Sequence, residues 1–265
     1  MTIWMPPPPE PPTVRDTTKF EGPKVLIAIK SCTRDWMRGD HDVIRKTWGS
    51  FVPKNVDLKF FMGDDQPHWL LNTGGDEHTF DDCPDKYLGL AHKTKRIAGY
   101  ALQKGYDFVY LCDNDTFVHP TRLLESGFQN YDWAGHFWTF DGKNKYFHGG
   151  YGYFLSKRAM NVITCSEVGD AKFEDGWVGD SLYKWEADWR NNGGRLEVGT
   201  LPKFSWHFPK DHYPSPKYHP LFPWQEMMTE FHLRGRQPAD REWGAAIGNT
   251  TRKVKWNLID RTCKS

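Results

Sequence analysis

The chain has 265 residues, enough for one large domain with a real core, or a domain with an appendage. Its formal net charge of +1 excludes non-specific nucleic-acid binding as the main activity, because that needs a strongly basic surface. The 13 Trp, 11 Tyr and 17 Phe are an excess of flat, amphipathic side chains, suited to a core but also to sugar and nucleotide clefts. Five scattered cysteines without a Cys-x-x-Cys pair argue against a zinc site and against a disulfide framework. The sequence has no secretory h-region and no apolar stretch of about 18 residues, so neither export nor a membrane span is encoded in it. A soluble, cytoplasmic protein is expected, lumenal if the sequence is a truncated piece.

In chain order, Pro6-Pro7-Pro8-Pro9-Glu10-Pro11-Pro12 makes residues 1–23 an extended tail, because such a tract favours polyproline geometry over packing. Val25-Leu26-Ile27-Ala28-Ile29 reads as a buried strand. A helical pattern follows around Val43, Ile44 and Trp48, then a second strand over Leu58–Met62 and a long polar loop over 63–86. Leu88, Ala91, Ile97, Ala98, Ala101 and Leu102 recur at helical spacing, which predicts a helix over 88–104 closed by Gly105. A third strand covers 107–112. This alternation predicts an α/β fold with a mostly parallel sheet and ligands at the strands' carboxyl ends. The second half carries shorter strands, Gly turns, and helices near 156–164 and 174–187.

The third strand ends in Asp113-Asn114-Asp115-Thr116. Two carboxylates at a core edge are costly to desolvate unless a cation or a substrate hydroxyl compensates them. One chemistry is metal-assisted group transfer, in which Mn²⁺ or Mg²⁺ spans a carboxylate and a nucleotide diphosphate. Another is aspartyl phosphate chemistry, with Asp113 as nucleophile and Asp115 as acid/base. That class needs a later acidic pair, and the nearest candidate, Gly179-Asp180, has Lys184 where the second acid belongs.

Other segments carry a family likeness. Ile27-Ala28-Ile29-Lys30-Ser31, followed by Ile44-Arg45-Lys46-Thr47-Trp48, resembles the opening of the Fringe and β1,3-galactosyltransferase superfamily. Leu90-Ala91-His92-Lys93-Thr94-Lys95 resembles the Lys-Thr helix of core 1 β1,3-galactosyltransferases. Gly149-Gly150-Tyr151-Gly152-Tyr153 is similar to their Gly-Gly-x-Gly-Tyr loop, and Glu174-Asp175-Gly176-Trp177-Val178-Gly179 to their Glu-Asp-x-x-x-Gly helix start. The ordered matches span about residues 25–220.

The resemblance implies a GT-A fold: a Rossmann-like, mostly parallel central sheet flanked by helices, with a smaller acceptor-side subregion. It implies inverting transfer of a hexose from a UDP-sugar, with Mn²⁺ or Mg²⁺, to an acceptor hydroxyl. Carried over by position, Asp115 and Asp113 would hold the metal, with Asp113 also meeting the ribose. Asp175 would be the general base; helix capping is the alternative for Glu174-Asp175. The third metal ligand would be His219, in Tyr218-His219-Pro220, or His207, in Phe204-Ser205-Trp206-His207. Ser31, Arg38, Arg45 and Lys93 would meet uridine or diphosphate, with a solvated helix charge as the alternative for Arg45; Gly149 and Gly150 would let backbone approach the donor, and Tyr151, Tyr153 and Trp177 would wall the sugar or pack between strands. Asn114 replaces the acid of the family's commonest all-Asp triplet.

The transferase domain is expected over 24–235, with a basic extension over 236–265. Residues 234–265 carry eight Lys/Arg against three Asp/Glu. A glycan is the default acceptor, then a protein hydroxyl, then a hydroxylated DNA base, with Arg234, Arg236, Arg241, Arg252, Lys253 and Lys255 touching phosphates. Absence of the membrane anchor of eukaryotic members points to a bacterial, phage or viral relative. A non-catalytic sugar-binding relative is the remaining alternative.

Overall fold

The computed structural model describes residues 19–64, 75–138, 145–190 and 194–207, without the side chains of 137, 138, 189, 206 and 207. Most of the Pro-rich tail, the basic extension and His219 therefore lie outside the described residues.

Strand β1 (Val25–Lys30) is buried at all six positions. It pairs in parallel with β2 (Asp57–Gly63) on one side and β4 (Phe108–Asp113) on the other, after helices α1 (Thr33–Met37) and α2 (Asp40–Lys46). A short edge strand, β3 (Glu77–Phe80), extends β2 in parallel. Helix α3 (Leu90–Gln103) leads into β4. Then come β5 (Thr116–Val118), α4 (Pro120–Leu124), β6 (Trp133–Gly135), β7 (Phe137–Trp138), β8 (Tyr146–Phe147), β9 (Tyr153–Ser156), α5 (Lys157–Cys165), α6 (Glu174–Trp189), β10 (Val198–Thr200) and β11 (Ser205–His207). The main sheet has seven strands in the order β10-β6-β9-β4-β1-β2-β3, and β9 runs against its neighbours. Two small antiparallel pairs, β5 with β11 and β7 with β8, stand apart from it.

The continuous apolar run of β1 follows from burial on both faces. Leu26 and Ala28 face a cluster built with Ile97, Ala98, Ala101, Met160 and Leu182 of the packed helices α3, α5 and α6. Val25, Ile27 and Ile29 face the opposite cluster, with Ile44, Trp48, Phe128 and Phe204. Successive strand side chains point to opposite faces, so one strand serves both cores. The expected α/β architecture, a mostly parallel sheet flanked by helices, is the one adopted. Much of the aromatic excess is core: Trp48, Trp133, Tyr110, Tyr153 and Phe154 are all buried.

Two expectations need correction. The polar segment 63–86 is not wholly loop, since it holds β3. An edge strand is paired on one side and half solvated, so it needs no apolar run to mark it. The predicted helix over 88–104 begins at Leu90, and Leu88 lies exposed in the 3₁₀ turn before it. Among the described residues no helix is long and apolar enough to cross a membrane.

His119 caps α4 through its side chain, Nδ1 accepting the Arg122 N–H at 3.4 Å. Burial first, and the Arg122 charge second, push its pKa from 6.5 down to about 4. His136 is likewise pushed down to about 4, by burial and then by Lys203. Both folded values lie below the unfolded one, so the unfolded chain takes up protons first. This contribution to stability is complete above pH 6.5 and is lost as pH falls toward about 4. A urea midpoint series across that window is expected to decline, and less steeply in His119→Asn, which keeps a capping acceptor. An unchanged slope in that variant would remove His119 from the account.

Candidate active site

Parallel register places Lys30, the last residue of β1, opposite Asp113, the last residue of β4. The Lys30 side chain is 1% exposed, with Nζ 3.2 Å from Asp113 Oδ1 and 3.1 Å from Glu174 Oε2. Burial works against its charge, but Asp113 and Glu174 together outweigh burial and hold the ammonium above its ordinary pKa. Glu174 opens α6, where the helix dipole favours an anion. Its Oε1 accepts from the Thr94 hydroxyl of α3 at 2.6 Å and from the Tyr153 hydroxyl of β9. Four elements thus meet at one carboxylate. The capping alternative for Glu174 gives way to this role, and Phe173, the N-cap residue, makes no side-chain cap.

Asp175, next along α6, faces the Gly-rich loop. Its Oδ2 accepts the Gly149 N–H at 3.2 Å, and its Oδ1 accepts the Gly176 N–H at 2.9 Å. The Gly150 carbonyl accepts the Thr116 hydroxyl. The Tyr151 carbonyl accepts the hydroxyls of Tyr110 at 2.8 Å and Ser205 at 2.6 Å. The loop is therefore stitched to Thr116, the residue after Asp115, on one side and to Asp175 on the other. A Cβ on Gly149 would lie 2.7 Å from Glu174 Oε2 and 3.4 Å from Lys30 Nζ. Gly149→Ala is expected to lower the urea midpoint by an amount worth about 1–3 kcal/mol, the usual range for overpacking. A neutral effect would show that the loop can move off the cluster freely.

Asn114 is buried and donates from Nδ2 to Asp40 Oδ2 at 3.1 Å. Asp40 is also the partner of Arg38, whose Nη2 lies 2.8 Å from Asp35 Oδ1. An acid at position 114 would set two carboxylates together there, so the amide is what lets this turn pack against α2. Asn114→Asp is expected to destabilise the fold, and to do so less at low pH, where one acid of the pair can be neutral. Equal urea midpoints for parent and variant at pH 8 would refute this.

Ser31 Oγ lies 2.7 Å from His41 Nε2, and His41 Nδ1 lies 3.0 Å from Glu77 Oε1. Arg45 is held by Asp42, Asp76 and Glu77, which ties α2 to the β3 edge. Lys93 is buried, its ammonium 2.9 Å from Asp85 Oδ1 and bonded to the Ser31 carbonyl. Of the residues expected to meet a diphosphate, Arg45 and Lys93 are thus each paired with internal carboxylates, and Lys93 also bonds the Ser31 carbonyl. Trp177 packs in the core with its indole N–H donating to the Glu167 carbonyl at 2.9 Å. Tyr153 is likewise core. Tyr151 keeps a half-buried ring, edge-on to His136 and His148.

Two oxygen donors one residue apart at a strand tip suit a hard divalent cation such as Mn²⁺ or Mg²⁺. Antiparallel pairing of β11 with β5 sets His207 opposite Thr116, one residue from Asp115. Its side chain and His219 are outside what is described, and among the described residues no group of three His, Cys, Asp or Glu is placed to hold an ion. The residues missed from sequence are Lys30, Thr94, Glu174 in its bridging role, and Asp40. The available signal was a lysine closing an otherwise apolar, fully buried strand.

No family model matches the chain, and no curated protein matches it. Among solved structures it is similar to an active-site mutant of LgtC, at 12% identity and TM-score 0.44 over 78% of this chain and 94% of that one. It is similar to the inositol-1-phosphate CTP transferase of T. maritima, at 12% identity and TM-score 0.48 over 80% and 98%. It is also similar to the galactosyltransferase LgtC in complex with donor and acceptor sugar analogs, at 11% identity and TM-score 0.38 over 79% and 95%. Likeness at this level carries no argument about activity, which rests on the residues of this chain.

Proposed function

We propose that the protein is a metal-dependent, inverting glycosyltransferase that moves a hexose from a UDP-sugar to an acceptor hydroxyl. One observation carries this reading: the hydrogen bonds of the Gly149-Gly150 loop to Thr116 and Asp175, with the Asp113–Lys30–Glu174 bridge, link the Asp113-x-Asp115 strand tip to the start of α6. Two acid sites with different tasks, side by side, are what displacement at a sugar carbon requires. The motif likeness to the Fringe and core 1 β1,3-galactosyltransferase family supports the same assignment.

Asp113 and Asp115 would hold Mn²⁺ or Mg²⁺, with His207 or His219 as a further ligand. The cation supplies charge neutralisation for a departing diphosphate. Asp175 takes the proton of the acceptor hydroxyl as that oxygen attacks the anomeric carbon. Its two backbone N–H contacts aim the carboxylate and still leave lone pairs for the incoming proton. Lys30 stays charged and keeps Asp113 and Glu174 from repelling each other, so Asp113 remains in place for the donor. Ser31 stands at the carboxyl end of β1, on the side where the nucleotide would lie; Arg38, beyond it, is paired with Asp35 and Asp40. Gly149 and Gly150 give the donor close access to backbone.

The aspartyl phosphohydrolase alternative would need a second acid site, for which the sequence offers Gly179-Asp180. Asp180 lies along α6 and accepts the Tyr146 hydroxyl at 2.7 Å, with Lys184 one turn on.

A calorimetric screen of UDP-glucose, UDP-galactose and UDP-N-acetylhexosamines with Mn²⁺ tests the reading. At least one donor is expected to bind, to release UDP slowly, and to stop doing so in EDTA. Turnover of a generic phosphomonoester without affinity for any UDP-sugar would overturn it.

A further inference from the structure

We propose that the groove between the β3 edge, α3 and α5 binds an oligophosphate chain, free or carried by a nucleotide, at a site separate from the candidate active site. The groove has a volume of about 650 Å³ and runs between His78 and Phe80 of β3, Tyr100 of α3 and Thr164 of α5. That volume is typical of small-ligand clefts. Its charged lining is Lys95, Arg96 and Lys104, all basic, with His78 beside them and no carboxylate. The whole chain carries a net charge of only +1, so this cationic lining is local and not a general property of the surface. Three like charges facing one groove repel one another, and a polyanion relieves that repulsion. None of these residues belongs to the cluster around Asp113 and Asp175.

The cations are held at the groove without being used up. Lys95 donates to the Ser166 carbonyl at 2.6 Å, which anchors its stem and leaves two N–H donors. The Arg96 guanidinium stands over the Phe80 ring and the Lys104 ammonium over the Tyr100 ring, each 5.9 Å from the centroid. Arg96 also meets Asp82 at 2.9 Å, but these side chains are 52% and 59% exposed, so water screens the pair and a polyanion can displace it. Lys104 has no carboxylate partner among the described residues. Burial first, then the Lys59 charge, lowers the His78 pKa, with Asp81 opposing and Lys104 adding to the fall. A bound anion would push it the other way.

Gly99 is the second observation. It lies inside α3, where glycine weakens a helix relative to alanine. Neither backbone nor space demands it. Its φ is not positive, and a Cβ there would meet only Thr164 Cγ2, at 3.7 Å, an ordinary contact. Gly99 and Thr164 both line the groove, so the missing side chain keeps that stretch of it open.

The test is calorimetric titration of the full chain with orthophosphate, tripolyphosphate and ATP, in EDTA so that no metal-dependent site contributes. Tripolyphosphate is expected to bind about tenfold or more tightly than orthophosphate, because it reaches several cations at once. ATP of similar affinity would show that a nucleotide can bring the chain, and exclusion of ATP would restrict the groove to the free oligophosphate. Arg96→Ala and Lys104→Ala are each expected to weaken tripolyphosphate binding by about tenfold. Gly99→Met should block it with a thermal midpoint at or above the parent's, since a helix-favouring residue replaces glycine. The His78 ring resonances should titrate at higher pH with tripolyphosphate than without it. UDP-sugar affinity with Mn²⁺ should match the parent's in both alanine variants; its loss would merge the two sites and overturn the separation. Parental tripolyphosphate affinity in both alanine variants overturns the site. So does the absence of heat with all three anions, or binding of duplex DNA or an acidic peptide in place of tripolyphosphate.

Discussion

Asp175→Asn is expected to cut sugar transfer by about a hundred- to ten-thousand-fold, the usual worth of a positioned general base. Donor affinity should survive, because the amide occupies the same volume and its oxygen can accept one of the two N–H contacts, from Gly149 or Gly176. The decisive comparison is calorimetric affinity for the UDP-sugar against single-turnover transfer in the same preparation. Transfer at the parental rate would remove Asp175 as the base. Loss of donor affinity together with transfer would mean that the carboxylate shapes the donor pocket instead.

Lys30→Met is the second large effect. Removing one partner from a buried charge cluster leaves the others uncompensated, which costs about 3–5 kcal/mol. Here it would leave Asp113 and Glu174 with no cation between them, although Glu174 keeps the hydroxyls of Thr94 and Tyr153. Expected outcomes are a lowered urea midpoint and lost transfer. Because the ammonium is held charged above its ordinary value, its contribution is constant across neutral pH and is lost only as pH rises far into the alkaline range. Lys30→Met combined with Glu174→Gln should recover part of the stability, since one of the stranded charges is gone. A double variant no more stable than Lys30→Met would show that packing of the lysine stem, not charge, sets the cost.

The candidate site was legible wherever its chemistry is local in sequence. Asp113 and Asp115 stand at the end of an apolar strand, and acids there announce themselves against the run before them. Glu174-Asp175 and the Gly149-Gly150 turn are short motifs whose residue types already limit their use. Arg45, Lys93 and Trp177 were read from sequence by residue type alone, without their internal partners. Their partners, Asp76, Asp85 and the Glu167 carbonyl, are met only after folding.

The sequence by itself determined β1, β2, β4 and the body of α3, through apolar runs and helical spacing, and the sheet class that follows from their alternation. It also determined the acids at the tip of β4. Only the tertiary structure decided that β9 enters antiparallel between β4 and β6, that 77–80 is an edge strand, and that Lys30 bridges Asp113 to Glu174. Strand periodicity reports which face of a residue is dry, and that property is local. Partner choice across 144 positions, as between Lys30 and Glu174, depends on register and helix docking, which no short window of sequence contains.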